Sequence, residues 1–315
     1  MPINQFLLFF LLLITGFFCR KYGFFTEAAV GGINAFIVNI SYPCLILLKT
    51  ATLDMAPGIF ETFMLVVFIN LGLLLLFGAY SRLYCRGKRF DTIDRPAVEF
   101  AMFSPNNGFM GFPVAITFFG DFGLLYMVGA NIALNLMFFT YGISLMKRGR
   151  GEPGESVRKK LLNLLLMIIN PKVSAALAGI AICYNGIILP GLAVDFLDIV
   201  GAVATPMAMI AIGTTLAGNF GLKTFKKRAV MEPLVNKLVV MPLIAFAVLW
   251  FIPLDPLAKT IIIVSSLMPT ATTVAILCEQ YKRDKAIAGE ILITTTIFSM
   301  VTVPLSIWAL GVVGF

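Results

Sequence analysis

The sequence predicts an all-α integral membrane protein of ten transmembrane helices, arranged as two inverted five-helix repeats with helices 4 and 9 broken. Three observations predict it. The chain has 315 residues, of which 59% are hydrophobic and only 13% charged, with a mean hydropathy of +0.96, whereas a soluble domain carries about 25% charged residues. Ten apolar stretches can be drawn along it, most of them close to the roughly 20 residues that a crossing helix needs. Two of these stretches are interrupted in the same way, at Pro105-Asn106-Asn107-Gly108 and at Pro269-Thr270-Ala271-Thr272-Thr273, and the two prolines lie 164 residues apart.

The first stretch, roughly 3–19, is near the lower length limit. It is short enough for a signal peptide, but no basic residue precedes it and no small-x-small cleavage site follows, so it is read as helix 1. Cys19 follows Phe18, where a lipidation site would want a small residue. The remaining stretches fall at roughly 29–48, 57–81, 95–119, 122–146, 171–190, 192–217, 229–251, 256–278 and 286–313. The five cysteines, Cys19, Cys44, Cys85, Cys183 and Cys278, are dispersed without CxxC spacing, which suggests neither a disulfide framework nor a metal site.

The net charge of +8 would raise nucleic acid as a partner for a soluble protein, but here its distribution carries the information. Of the 24 basic residues, all but Lys49, Lys237 and Lys259 fall in loops that follow odd-numbered helices. The opposite loops hold Asp54, Glu61, Asp121, Asp195, Asp198 and Asp255. Basic loops stay in the cytoplasm, so both termini are expected on the extracytoplasmic side of the plasma (inner) membrane. A different helix count would scramble the alternation.

The offset between the two interruptions recurs from Cys19 to Cys183, Asn131 to Thr295 and Asn135 to Ser299, and within one residue from Gly23 to Gly186 and Pro43 to Pro206. The chain therefore reads as a first repeat over 1–146, a polar cytoplasmic linker over 147–170 and a second repeat over 171–315. An odd number of helices per repeat turns the second copy upside down, an arrangement that alternating-access carriers use. The apolar run 161–169 is too short to span and is expected to lie along the inner surface.

Two prolines eight residues apart, Pro105 and Pro113, bracket Asn106, Asn107, Gly108 and Gly111, which is poor helix chemistry even in lipid. An unwound stretch is expected, followed by a half-helix beginning near Pro113 whose free N–H groups and dipole suit a carboxylate. Asn106 and Asn107 supply donors and acceptors. The alternative is a proline kink whose amides bond neighbouring helices. Around Pro269, the five hydroxyls of Ser265, Ser266, Thr270, Thr272 and Thr273 can complete a polar pocket, although a membrane threonine also bonds its own carbonyl four residues back. Asn131 and Asn135 share a helix face and serve equally as ligand contacts or interhelical bonds. Asn39, Ser41 and Pro43 in helix 2, with Thr205 and Pro206 in helix 7, are expected on a facing wall.

Ionisable residues inside membrane segments mark ion routes. The candidates Glu99, Glu232, Lys237 and Glu290 lie near cytoplasmic ends, where snorkelling or pairing accounts for them. No carboxylate sits at mid-membrane, and the chain contains no histidine. Catalytic triads that use histidine, paired-aspartate motifs and nucleophile elbows are absent, so no enzyme and no cofactor or metal is expected.

The runs 106–113 (NNGFMGFP), 41–46 (SYPCLI), 213–218 (GTTLAG) and 268–273 (MPTATT), the last followed by Cys278-Glu279-Gln280-Tyr281, resemble the auxin efflux carrier family over the whole chain. That family holds the plant PIN auxin carriers and bacterial permeases linked to malate or malonate. The resemblance implies an NhaA-like and bile-acid-symporter-like fold, with helices 4 and 9 crossing at their unwound middles. It implies a scaffold of helices 1, 2, 6 and 7 and a mobile transport domain of helices 3–5 and 8–10. It further implies a homodimer in membrane lipid that carries a small organic anion by alternating access, with Asn106 at the substrate carboxylate and Pro113 and Pro269 at the crossing. The short linker places the chain nearer the bacterial branch. The third stretch offers only Asn70 as a strong polar group, where plant carriers have charges, which argues against auxin itself. A sodium-coupled carrier of the bile-acid type is the alternative, followed by a passive channel or a membrane receptor, and coupling to sodium or protons stays open.

Overall fold

The computed structural model describes residues 3–53, 58–86, 94–148, 170–217, 224 and 227–313. The expected linker, apart from its ends, and the surface run 161–169 lie outside the described residues. Regular structure among those described is helical, with one isolated bridge between Pro105 and Thr270. Among the described residues, seven helices are long and apolar enough to cross a membrane. In chain order the helices are α1 (Ile3–Lys21), α2 (Glu27–Ala51), α3 (Ile59–Cys85), α4 (Arg95–Phe103), α5 (Asn107–Lys147), α6 (Pro171–Tyr184), α7 (Gly191–Leu216), α8 (Arg228–Trp250), α9 (Pro256–Leu267), α10 (Thr272–Gln280) and α11 (Lys285–Val313). The seven are α1, α2, α3, α5, α7, α8 and α11; α6 and α9 are apolar but shorter.

Local chemistry sets many of the ends. Thr26 caps α2 by accepting from the Ala29 N–H at 3.2 Å, and Asp255 caps α9 by accepting from Ala258 at 2.9 Å. Prolines occupy the first turns of α4, α6 and α9, where no donor is missed. Helix α6 stops at Tyr184, short of the expected residue 190, because Asn185 closes the turn and Gly186 takes a left-handed φ of 61°. The range of α5 is two helices that meet at Gly120, whose non-helical φ of 67° and ψ of −159° are open to glycine alone at little cost, and this junction falls between the stretches expected at 95–119 and 122–146.

Three prolines inside the long helices are accommodated in one way. Pro43, Pro113 and Pro242 each follow a π-helical turn, at Ile37–Ser41, Asn107–Gly111 and Asn236–Val240. A proline ring clashes with the carbonyl four residues back and offers it no donor, and the wider turn moves that carbonyl aside. The helix therefore continues through these prolines instead of breaking.

The chain divides into two compact units, one of residues 1–64, 108–129 and 166–219 and the other of residues 65–107, 130–165 and 220–315. In the first, helices approach through glycine. A Cβ on Gly16 would overlap the Ile210 carbonyl of α7, and one on Gly213 the Leu13 carbonyl of α1. Gly201 meets the Leu45 Cα at 2.9 Å from its would-be Cβ. Apolar helices in lipid gain little by hydrophobic burial, so close backbone packing between small residues holds them together. The second unit buries Phe100, Phe103 and Ala133, and the polar Ser265, Thr270, Thr294 and Thr295. Large apolar side chains such as Leu8, Phe68, Leu75, Leu243, Val301 and Trp308 face outward, as a lipid-embedded surface requires.

Candidate functional site

The second unit contains both interruptions. Pro105 and Pro269 force the residues before them out of the helical region, and Ser104 (φ −94°, ψ 99°) and Met268 (φ −62°, ψ 141°) are extended. Helix α4 therefore ends at Phe103 and α9 at Leu267. The two opened backbones run antiparallel and pair. The Asn106 N–H donates to the Pro269 carbonyl at 2.8 Å, and the Ala271 N–H donates to the Ser104 carbonyl at 2.9 Å. Pro105 sits opposite Thr270 at the position where an antiparallel ladder asks for no bond, so its missing donor costs nothing. The Thr270 N–H turns instead to the Thr295 hydroxyl of α11 at 3.1 Å.

Side chains lock the pairing. The Asn107 amide donates to Ser265 Oγ at 2.9 Å and accepts from it at 3.1 Å. Thr270 Oγ1 donates to the Ala101 carbonyl at 2.9 Å, one of the carbonyls freed at the end of α4. Asn106 is 4% exposed and lies at the paired backbone. Thr272 and Thr273 are half-buried in the first turn of α10, whose N-terminus begins at the break. Asn131 is buried elsewhere on α5, and Asn135 Nδ2 is buried with no hydrogen-bond partner among the described residues. Thr294 and Thr296 bond their own helix carbonyls, Glu290 and Leu292. Thr295 does the same while accepting from Thr270.

The resumption of the fourth stretch differs from expectation. The helix restarts at Asn107, not near Pro113, and Gly111 and Pro113 lie within it. The π-helical turn absorbs Pro113, so the break contracts to Ser104–Asn106. In the first unit, Gly108 is half-buried and Gly111 and Pro113 are buried. Phe112 meets the Tyr42 ring edge-on at 5.1 Å. The Ser41 hydroxyl donates to the Val200 carbonyl at 2.7 Å, joining the segments that carry Asn39 and Pro43 to those that carry Thr205 and Pro206. Asn39 itself is exposed, and the other three are half-buried. Ser265 stands among the hydroxyls that the sequence offers around Pro269, but its pairing with Asn107, like that of Thr270 with the Ala101 carbonyl, is not written in local sequence, because it depends on which distant groups the fold brings together.

Three of the four intramembrane ionisable residues are paired. Glu99, 2% exposed at its side chain, accepts from Arg148 at 2.8 Å and from the Tyr141 hydroxyl. Glu232 meets Arg228 and Tyr84, and Glu290 meets Lys227 at 2.6 Å. Lys237 departs from this pattern: it is fully buried and its Nζ has no hydrogen-bond partner among the described residues. Leaving a buried donor unsatisfied costs about 1–3 kcal/mol, and more for a charge. Lys237→Met is therefore expected to raise the melting temperature of the purified protein. A fall would show that Lys237 holds structure together.

A cavity of about 450 Å³ in the second unit, lined by Leu238, Pro242, Phe246, Leu267, Leu305 and Leu310 among others, is almost wholly apolar and unsuited to a carboxylate. Among the described residues, no group of three or more Cys, Asp and Glu is placed to hold a metal ion.

Comparison with known proteins places the whole chain in one family. The family model described as Membrane transport protein matches residues 3–307. An uncharacterized transporter of Methanothermobacter thermautotrophicus is 25% identical over 296 residues, covering 93% of each chain. An uncharacterized transporter of Methanocaldococcus jannaschii is 26% identical over 319 residues, covering 98% of this chain and 99% of its own. The "Putative malonate transporter" of Rhizobium meliloti is 24% identical over 306 residues, covering 94% of this chain and 91% of its own. With seven membrane-length helices and a match along nearly its entire length, the chain belongs to the membrane transport proteins of the auxin efflux carrier family and is a multi-pass membrane transporter, not an enzyme.

Proposed function

We propose that this protein is a secondary transporter that moves a small organic anion, a carboxylate, by alternating access. The observation that carries this reading is the antiparallel pairing of two proline-opened backbones beside buried Asn106 and the N-terminus of α10. Membrane helices keep such openings only within protein or at a cavity. Discontinuous helices in corresponding halves place helix N-termini at an anionic substrate. Asn106 meets the carboxylate in this reading. Asn107 and Thr270, whose side chains are engaged with Ser265 and Ala101, hold the crossing in shape.

The antiparallel course of the two breaks supports ten crossings in two inverted repeats. The two compact units support a scaffold of helices 1, 2, 6 and 7 and a transport domain of helices 3–5 and 8–10, with 108–129 grouped with the scaffold helices. The protein is a homodimer of the inner membrane in this reading, with both termini outside. Sodium or proton coupling is decided by experiment.

The test is the thermal stability of the purified protein against mono- and dicarboxylates, malonate and indole-3-acetate included, with and without sodium. A ligand at 100 times its Kd adds about 2.7 kcal/mol to the folded state. A stabilising carboxylate supports the reading, and sodium dependence of its shift assigns the coupling ion. Exchange of labelled anion across proteoliposomes separates a carrier from a channel. The absence of any shift would remove the carboxylate site.

A further inference from the structure

Lys172 follows Pro171 and counts by sequence among the cytoplasmic loop charges, yet in the structure it belongs to the first turn of α6. Its backbone N–H is held by the Asn170 cap at 3.1 Å, and the residue is 9% exposed. Within the first unit its side chain reaches the start of α5. Nζ lies 3.6 Å from the place a Cβ on Gly108 would take, and 5.7 Å from the centre of the Phe112 ring. Among the described residues it makes no hydrogen bond or ion pair, and the nearest acid in sequence on α5, Asp121, is committed to Lys49 at 3.6 Å.

This placement is electrostatically incomplete. The ammonium is buried in the first turn of its own helix and beside the first turn of another, and both helix ends carry partial positive charge. A cation is disfavoured at each of them, and the Phe112 ring offers only a weak cation–π contact. An anion relieves all three at once, because it pairs with the ammonium and accepts from the backbone N–H groups that open α5. Glycine at 108 keeps the space beside Nζ free of a side chain.

We propose that Lys172 is the charge-selecting residue of an anion site in the first unit. There a substrate carboxylate sits between its ammonium and the backbone at Gly108. The proposal rests on the carboxylate reading above and deepens it: the substrate must carry a full negative charge at this point, and a neutral amide of the same shape is rejected.

The experiment titrates malonate and its neutral diamide against the full-length purified protein and against Lys172→Met, Lys172→Gln and Lys172→Arg, reading the melting temperature. Malonate is expected to stabilise the parent and Lys172→Arg, while the diamide stabilises neither. Lys172→Met and Lys172→Gln are expected to bind malonate at least about tenfold more weakly, the loss of one charge-assisted bond. Without ligand, Lys172→Met should melt at or above the parent temperature, since an unpaired buried charge has been removed. A purely structural lysine would instead lower it and leave the malonate midpoint unchanged. Parent-like malonate binding in Lys172→Met or Lys172→Gln overturns the role of Lys172 and leaves the carboxylate reading intact. No stabilisation of the parent by any carboxylate overturns both.

Discussion

Asn106→Ala protein is expected to fold, to retain its melting temperature within a few degrees, and to need far more carboxylate for the same stabilisation. The pairing of the two breaks survives because the residue 106 backbone N–H reaches the Pro269 carbonyl at 2.8 Å, a bond that alanine keeps. The locking contacts also stay, since they belong to Asn107 with Ser265 and to Thr270 with Ala101. What is removed is an amide held 4% exposed at the paired breaks, where water competes poorly for a ligand. A hydrogen bond to a charged group contributes about 1.5–3 kcal/mol, which corresponds to roughly a ten- to hundredfold change in affinity. A titration of melting temperature against carboxylate concentration reads it directly. Unchanged affinity in the variant would move the site away from Asn106.

Gly213→Val is expected to have the largest effect on stability. The glycine faces α1 so closely that a Cβ would overlap the Leu13 carbonyl and stand 3.0 Å from the Phe17 nitrogen. Both obstacles are backbone, so no side-chain rotation relieves them and α1 must move away from α7. Overpacking against side chains alone costs about 1–3 kcal/mol, and a displaced helix pair exceeds that because the reciprocal contact at Gly16 against Ile210 is lost with it. Gly72→Ala provides the control: nothing lies within 4 Å of its would-be Cβ, and alanine favours the helix by about 1 kcal/mol. Monodispersity and melting temperature in detergent compare them. Equal stability of Gly213→Val and the parent would show that α1 and α7 do not depend on this approach.

The interruptions were legible because proline acts on its own neighbours. Ser104 and Met268 became extended for the reason that any residue before proline tends to, and that reason is written in two adjacent letters. The extent of the first break was not legible. Pro113 carries the same local signal as Pro105, yet it lies within α5, and the difference is a π-helical turn set by how 107–111 packs. The charges show the same division. Counting basic residues by loop places Lys172 with its neighbours in sequence, and Lys237 is expected from sequence to snorkel or pair near a cytoplasmic helix end. The structure buries both side chains and gives neither an ion-pair partner among the described residues.

By itself the sequence determined that the chain lives in a membrane, where its helices open, and to which family it belongs. These follow from hydropathy, from the covalent geometry of proline and from short motifs, all of which act over a few residues. Only the tertiary structure decided that the openings at 104–106 and 268–271 pair with each other, and that the hydroxyl of Thr295 accepts from the Thr270 N–H. It also decided that Asn107 is engaged with Ser265. Those outcomes depend on which groups distant in the chain arrive together, and in a medium without water every polar group must settle with the partner that packing delivers.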